Sequence, residues 1–291
     1  MVRYVIISPV RNEEKFIGKT LHSVINQTIR PVEWIIVNDG STDHTESIID
    51  EYACEYQWIK KIDLQDRGFY YPGKGVVAVF NVGYKQLTTN DWEYLVKLDC
   101  DLTFDQDYFE RVFKEFHQNP RLGIASGCTY KPVKHGLIRE PIQEDHPVGP
   151  SKIYKRACWE AIGGMLPVPG WDLADLLSAQ MKNWETVCFY ELVVVHYRQT
   201  GSRRKGIFAP KFLQGRYTYR HGYSFMYTVL REFFHLFRTP PIIGSIAIIL
   251  GYIKGYLLKE EYLFPEDIRD YLRARHRKFL LKKIGLRNNT R

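Results

Sequence analysis

The sequence predicts an α/β fold, a mostly parallel sheet flanked by helices with a helical, basic appendage at its carboxyl end. Three observations carry that prediction. Short β-rich apolar runs alternate with helix-periodic segments through the first 200 residues. Those runs end in polar loops, several of them acidic, which is the pattern of strands feeding a ligand-binding edge. Beyond residue 200 the strand signature stops, and Lys, Arg and aromatic residues follow at helical spacing.

In order, Tyr4–Ser8 reads as a strand and Pro9–Glu14 as a turn. Phe16, Ile17, Leu21, Val24 and Ile25 then recur at helical spacing. Trp34–Val37 is a second strand, ending in Asn38-Asp39-Gly40-Ser41-Thr42-Asp43, with a helix starting at Ser41 or Thr42 and Gly40 at positive φ. Ile59–Leu64 is a third strand. A loop bearing Arg67 and Lys74 leads into a helix with Ala78, Phe80 and Gly83. Leu95, Val96 and Leu98 make a buried strand that runs out at Asp99-Cys100-Asp101, and Phe109, Val112, Phe113 and Phe116 mark the next helix. After a strand at Ile124–Gly127, residues 131–150 read as one long loop rich in Pro, Gly, His and charge. Ser151–Ile162 gives a short strand and helix, a further helix starts around Asp172 and Asp175 and contains Leu176, Leu177, Ala179 and Met181, and Val187–Val195 is the last strand, which reaches His196. Crossovers between the parallel strands should be right-handed.

A chain with 45% hydrophobic and 25% charged residues is globular rather than disordered. Its five cysteines are scattered and form no CxxC pair, which argues against a disulfide framework or zinc site and suits a reducing compartment. Met1-Val2-Arg3 leads directly into a strand, so no signal peptide is expected. The net charge of +8 divides unevenly: residues 1–196 carry about −6 and residues 197–291 about +14. A basic region of that strength attracts nucleic acid or anionic membrane, and charge alone does not choose between them.

The chemistry-bearing residues cluster at strand ends. Asp99 and Asp101 can share one hard cation, or one can hold the cation and the other a ribose hydroxyl; the alternative is that both cap the turn and helix that follow. Asp39 can accept from a base N–H or a ribose, or simply belong to a turn. Asp172 and Asp175 stand at a helix start, where the dipole favours carboxylates whatever their role; either can serve as a general base.

Taken together, Pro9-x-x-Asn12-Glu13, Val37-Asn38-Asp39-Gly40-Ser41-Thr42-Asp43, Asp99-x-Asp101, Gly163-Gly164, Trp171-Asp172 and His196-x-Arg198 resemble the family 2 glycosyltransferases of GT-A fold. The resemblance covers about the first 200 residues and implies a domain 1–200 that binds a nucleotide-diphospho-sugar and inverts the anomeric carbon, followed by region 201–291. It implies that Pro9 and Glu13 line the nucleotide pocket, Asp39 contacts the base (commonly uracil), and Lys74, or else Arg67, lies near the nucleotide. Asp99 would sit on the ribose or touch the metal indirectly. Asp101 would ligate Mn²⁺ or Mg²⁺, and His196 and Arg198 would lie near the metal-bound diphosphate. The family's base is the Asp of a Glu-Asp pair. Here Trp171 replaces the Glu, and counting back from Asn183-Trp184 puts the base at Asp172, with Asp175 as competitor. The processive signature Gln-x-x-Arg-Trp is absent: the chain has Gln214-Gly215-Arg216-Tyr217, which implies single additions.

The run from Pro240 to Ile253 carries no charge but falls short of the ~20 apolar residues needed to span a bilayer. A buried core helix or an interfacial segment over 240–258 is expected, with a last basic helix at 266–283. The flanking Arg, Lys and Tyr favour the membrane interface. The expected partners are therefore a nucleotide-sugar donor, a glycan or lipid-linked acceptor and a membrane surface, with no nucleic acid and with oligomers compatible. The expected location is cytoplasmic, peripheral on the inner face of the cell membrane, in polysaccharide biosynthesis. The competing class is a non-catalytic membrane- or nucleic-acid-binding protein that uses the basic region.

Overall fold

The computed structural model, which describes residues 2–66, 73–198, 206–235 and 241–283, builds one nine-stranded sheet from the first part of the chain. In chain order its elements are β1 (Tyr4–Val10), α1 (Ile17–Ile25), β2 (Glu33–Asp39), α2 (Thr45–Glu55), β3 (Ile59–Leu64) and α3 (Lys74–Lys85). Next come β4 (Tyr94–Leu98), β5 (Leu102–Phe104), α4 (Tyr108–Gln118), β6 (Leu122–Val133) and β7 (Gly136–Arg139). Then follow β8 (Ser151–Lys155), α5 (Arg156–Ile162), α6 (Trp171–Met181) and β9 (Glu185–His196). The strand order is β3-β2-β1-β4-β8-β6-β9-β5, with β7 paired to β6.

Strands with apolar side chains on both faces require cover on both faces, and the helices supply it. Tyr4, Ile6, Trp34 and Ile36 pack on one side with residues of α1 and α4. Their sequence neighbours Val5 and Ile7, with Ile35 and Val37, face α3 on the other. Gly83 lets α3 lie close to the sheet: a Cβ there would come within 2.7 Å of Ile7 and 2.9 Å of Val37. The pairs β2–β3, β1–β2, β1–β4 and β6–β9 are parallel, as the βαβ alternation predicts. The pairs β4–β8, β6–β8, β5–β9 and β6–β7 are antiparallel.

Two expectations need correction. Residues 131–150 are not one loop: β6 runs on to Val133 and returns as β7, so a hairpin occupies its first part. Backbone pairing holds that hairpin, while Val133, Leu137 and Ile138 stay exposed, so no burial pattern marks it in the sequence. The helix after β2 starts at Thr45, not at Ser41 or Thr42, because those two residues bond elsewhere (below) and Asp43 takes the Thr45 N–H at 3.0 Å. Gly40 does take positive φ, at 64°.

The chain divides into two compact units, Met1–Pro167 with Trp171–Thr200, and Val168–Gly170 with Gly201–Arg291. The second contains α7 (Phe208–Arg220), α8 (Phe225–His235), α9 (Pro241–Leu257) and α10 (Glu266–Lys283). Helices α7 and α9 meet backbone to backbone: a Cβ on Gly215 would lie 2.0 Å from the Ile248 carbonyl oxygen, and one on Gly251 2.0 Å from that of Phe212. Only glycine permits that approach. One side of α9 is buried there through Ala247, Ile248 and Tyr252, while Ile242, Ile243, Ile246 and Leu250 are exposed. Among the described residues no helix is long and apolar enough to cross a membrane.

Candidate active site

Three parallel strands deliver their polar ends to one edge. Val10 of β1 stands opposite Asn38 of β2, and Ile7 of β1 opposite Lys97 of β4, so residues 9–14, 38–43 and 99–101 emerge side by side. Their loops are tied to each other rather than to solvent. Asn12, at φ 56°, donates its backbone N–H to Ser41 Oγ at 3.0 Å and accepts the Thr42 N–H on its side chain at 2.8 Å. Glu13 N–H reaches Thr45 Oγ1 at 2.7 Å, and Arg11 donates to the Asp39 carbonyl at 3.1 Å and to Asp66.

The end of β9 closes the ring. Antiparallel pairing sets His196 opposite Leu102, which brings its Nε2 to 3.3 Å from Asp101 Oδ2, and its Nδ1 faces Glu140 at 3.5 Å. Asp101 is 5% exposed. Burial pulls the His196 pKa down, but the hydrogen bond to Asp101 and the surrounding carboxylates outweigh it and leave the imidazole raised. Arg198 reaches back to Glu13 at 2.9 Å and to the Asn12 carbonyl at 2.6 Å. Asp99 is bonded by Lys97 Nζ at 2.5 Å, and burial pushes its carboxyl up against the lowering effect of that ammonium. Neither Asp99 nor Asp101 caps the next helix: β5 follows, and α4 begins only after Asp107.

The two candidate bases differ sharply. Asp172, in the first turn of α6, is partly exposed. Asp175 is 1% exposed, paired with Lys152 at 2.9 Å, and accepts from the Tyr154 hydroxyl and from the Leu176 N–H at 2.6 Å. Burial raises its pKa despite Lys152. Pro9 lies inside β1, half-buried beside Val37. Lys74 opens α3 and is exposed; the residues just before Gly73, Arg67 among them, lie outside the described residues. The edge thus gathers Pro9, Glu13, Asp39, Asp99, Asp101, His196 and Arg198, while Lys74 is placed by its helix alone.

Sequence reasoning passed over Arg11, Lys97, Glu140 and Lys152. Lys97 carried a signal, a lone charge inside an otherwise apolar strand. Glu140 and Lys152 gain their meaning only from strand pairing.

For a divalent cation, the fit rests on donor chemistry. Asp101 and His196 offer a carboxylate oxygen and an imidazole nitrogen converging within 3.3 Å, with Asp99 two residues away. Carboxylate and imidazole are ligands Mn²⁺ accepts. No cluster of three or more His, Cys, Asp or Glu fit to hold a metal occurs among the described residues, so donor phosphate oxygens and water would have to complete the shell.

A sheet of this order, with acidic strand ends facing His196 at the end of the last strand and Arg198 just beyond it, is an arrangement of the GT-A type. Solved structures of that kind agree in fold. One is a mannosyltransferase from Pyrobaculum calidifontis in complex with GDP-Man and Mn²⁺ (TM-score 0.55, 16% identity, 98% of this chain and 80% of that one). Another is S. aureus TarS 1–349 in complex with UDP-GlcNAc (TM-score 0.55, 17% identity, 88% and 73%). Residues 5–167 match the family described as Glycosyl transferase family 2, and the chain belongs to that family. A poly-beta-1,6-N-acetyl-D-glucosamine synthase of Staphylococcus epidermidis is 34% identical over 116 residues, 40% of this chain and 26% of that protein. A 4,4'-diaponeurosporenoate glycosyltransferase of Staphylococcus aureus is 33% identical over 130 residues, 44% and 32%. The chain thus spans no more than about a third of the length of these curated relatives.

Proposed function

We propose that this chain transfers one sugar at a time from a UDP-sugar to a hydroxyl of a glycan or lipid-linked acceptor, with inversion, in polysaccharide biosynthesis. The observation that carries it is the joined edge: Asp101 against His196, and Glu13 against Arg198, link the ends of β1, β4 and β9 into one polar cluster. Pro9 and Glu13 line the nucleotide pocket, Asp39 receives the base, Lys74 adds a cation near the nucleotide, and Asp99 takes the ribose. Arg198 faces the diphosphate. Asp101 and His196, with Asp99 indirectly, would hold Mn²⁺ or Mg²⁺, which supplies Lewis-acid neutralisation of the departing diphosphate.

Inversion in a single step needs a carboxylate that removes the acceptor proton as the hydroxyl attacks. Asp172 is the base in this reading, because a base must be reachable, and Asp175 is already engaged by Lys152 and Tyr154 inside the protein. The second unit docks on the inner face of the cytoplasmic membrane and serves the acceptor. Its exposed apolar helix faces and net charge of about +13 over residues 201–291 support that reading, whereas no observation favours a non-catalytic or nucleic-acid-binding role.

A thermal-shift screen of UDP-, GDP- and dTDP-sugars with and without Mn²⁺ tests the proposal. Stabilisation by UDP-sugars that deepens with Mn²⁺ is expected. No response to any nucleoside diphosphate would refute it.

A further inference from the structure

Two lysines lie where a sheet interior normally excludes charge. Lys97 of β4 and Lys152 of β8 are register partners on adjacent antiparallel strands, so their side chains leave the same face of the sheet next to each other. Their side chains are 3% and 0% exposed. Like charges placed opposite each other are unfavourable, and burying an ammonium adds a desolvation penalty that an apolar pair would avoid. Each ammonium is matched by its own acid. Lys97 donates to Asp99, while Lys152 donates to Asp175 and, at 2.7 Å, to the backbone carbonyl of Asp172. Between them stands Trp171, its ring centre 5.4 Å from Lys97 Nζ and 5.3 Å from Lys152 Nζ, where π density favours cations.

We propose that this buried pair positions the two acidic limbs of the site separately: Lys97 fixes Asp99 on the donor side, and Lys152 fixes the first turn of α6 and with it Asp172. The inference rests on the reading of Asp99 as a donor contact and Asp172 as the base. It makes Asp175 an anchor rather than a catalytic group. Asp175 holds Lys152 in place with the help of Tyr154, and Lys152 in turn holds the Asp172 carbonyl. The pattern also explains an indole at position 171. A carboxylate there would draw both ammoniums toward itself and away from Asp99 and Asp175, whereas a neutral ring contacts both and competes for neither. The lysines act through other residues and are positioning groups.

If the two limbs are set independently, damage to each should appear in a different kinetic constant. The probes are UDP binding by calorimetry and the steady-state release of UDP from UDP-GlcNAc with Mn²⁺. Lys97→Met should weaken UDP binding and raise the KM for UDP-GlcNAc by about 10-fold while kcat stays within about 3-fold, because only ground-state donor binding is disturbed. Breaking the Lys152–Asp175 pair on one side would strand a buried charge, so the pair is replaced together with its hydroxyl partner: Lys152→Met, Asp175→Leu and Tyr154→Phe. That triple variant should melt near the wild-type temperature and bind UDP normally, yet lose about 10²-fold in kcat, the loss a misplacement of about 1 Å produces. A merely structural role would lower UDP-binding stoichiometry and apparent kcat in proportion in both variants while leaving KM unchanged, and that result overturns the proposal. So does a triple variant with wild-type kcat. Asp172→Asn separates the two levels. If it is inactive while the triple variant is fully active, the positioning role alone fails. If it turns over at the wild-type rate, the base assignment falls and takes the positioning role with it.

Discussion

The two units dispose of their apolar residues in opposite ways. In the first, the strands bury both faces, and the large hydrophobic side chains left exposed among the described residues are Val133, Leu137 and Ile138 of the β6–β7 hairpin. In the second, exposed large side chains occur on α7, α8, α9 and α10, from Phe208 through Phe233 and Ile246 to Phe279. The first unit is satisfied apart from a polar edge, which is where its chemistry belongs. The second holds its helices together by glycine contacts and still presents apolar surface, which is where a surface partner belongs. Substitutions at the edge should therefore change turnover, and substitutions on α9 should change where the protein resides.

The largest effect is expected at the edge. Asp101→Ala should remove Mn²⁺-dependent UDP release from UDP-GlcNAc, a loss exceeding the roughly 10–100-fold typical when a residue one shell further from a metal is removed. Rates measured across a Mn²⁺ titration check this, and wild-type turnover in the variant would sink the assignment. Next come the paired aspartates of α6. Asp172→Asn should lower kcat by about 10²–10⁴-fold with donor affinity unchanged. Asp175→Asn should instead lower the melting temperature, since a buried Lys152 loses its counter-charge at a cost of about 3–5 kcal/mol. Donor-binding calorimetry beside melting curves separates the two outcomes.

That pair also shows what the sequence could and could not disclose. Three residues apart at a helix start, Asp172 and Asp175 look alike in the sequence, because helical spacing does not say which side chain meets Lys152 and Tyr154 from β8. The parallel core was legible, since Tyr4–Ser8 and Trp34–Val37 are unbroken apolar runs between loops. So was the edge, because acidic residues directly following such runs have few other places to go. The antiparallel half was harder to read. β5 is three residues long, too short for any periodicity, and β7 buries no face at all. Lys97 facing Lys152 is a fact of register, and register across β4 and β8 joins residues 55 positions apart in the chain with no local mark.

A smaller effect concerns stability of the first unit away from its edge. Glu33 at the start of β2 is 2% exposed and accepts from Lys60 and from the N–H groups of Thr88 and Thr89. Burial pushes its pKa up, but those hydrogen bonds together win and hold it below the ordinary 4.5. A lowered folded-state pKa means that the contribution is complete above about 4.5 and is lost as pH falls through the folded value. Glu33→Gln should thus cost about 1–3 kcal/mol at pH 7. The gap in melting temperature between variant and wild type should narrow as the pH is lowered toward 3. A gap that stays constant with pH would show that the carboxylate's charge is not what matters.

The smallest effect on the fold, and the sharpest on the comparison, belongs to α9. Ile246 and Leu250 lie one turn apart on its exposed side, 47% and 44% exposed, and Lys254 follows one turn later, over the ring of Phe212. If the proposed docking holds, a cation at the end of this apolar stripe would keep its charge at the lipid headgroups while its stem lies along the helix. Replacing both apolar residues, as Ile246→Glu with Leu250→Glu, removes two side chains, each worth about 1.5–3 kcal/mol when fully buried, and adds two charges that an anionic surface repels. Because both positions face outward, folding should change by no more than about 0.5 kcal/mol per site. UDP release from UDP-GlcNAc should be unaffected. Cosedimentation with phosphatidylglycerol-containing vesicles should fall at least about 10-fold, and the remaining binding should weaken further with salt, as a purely electrostatic attraction would. If the variant binds vesicles as wild type does, α9 is not the lipid-facing element. If it loses turnover instead, the division between a catalytic edge and a docking helix is wrong.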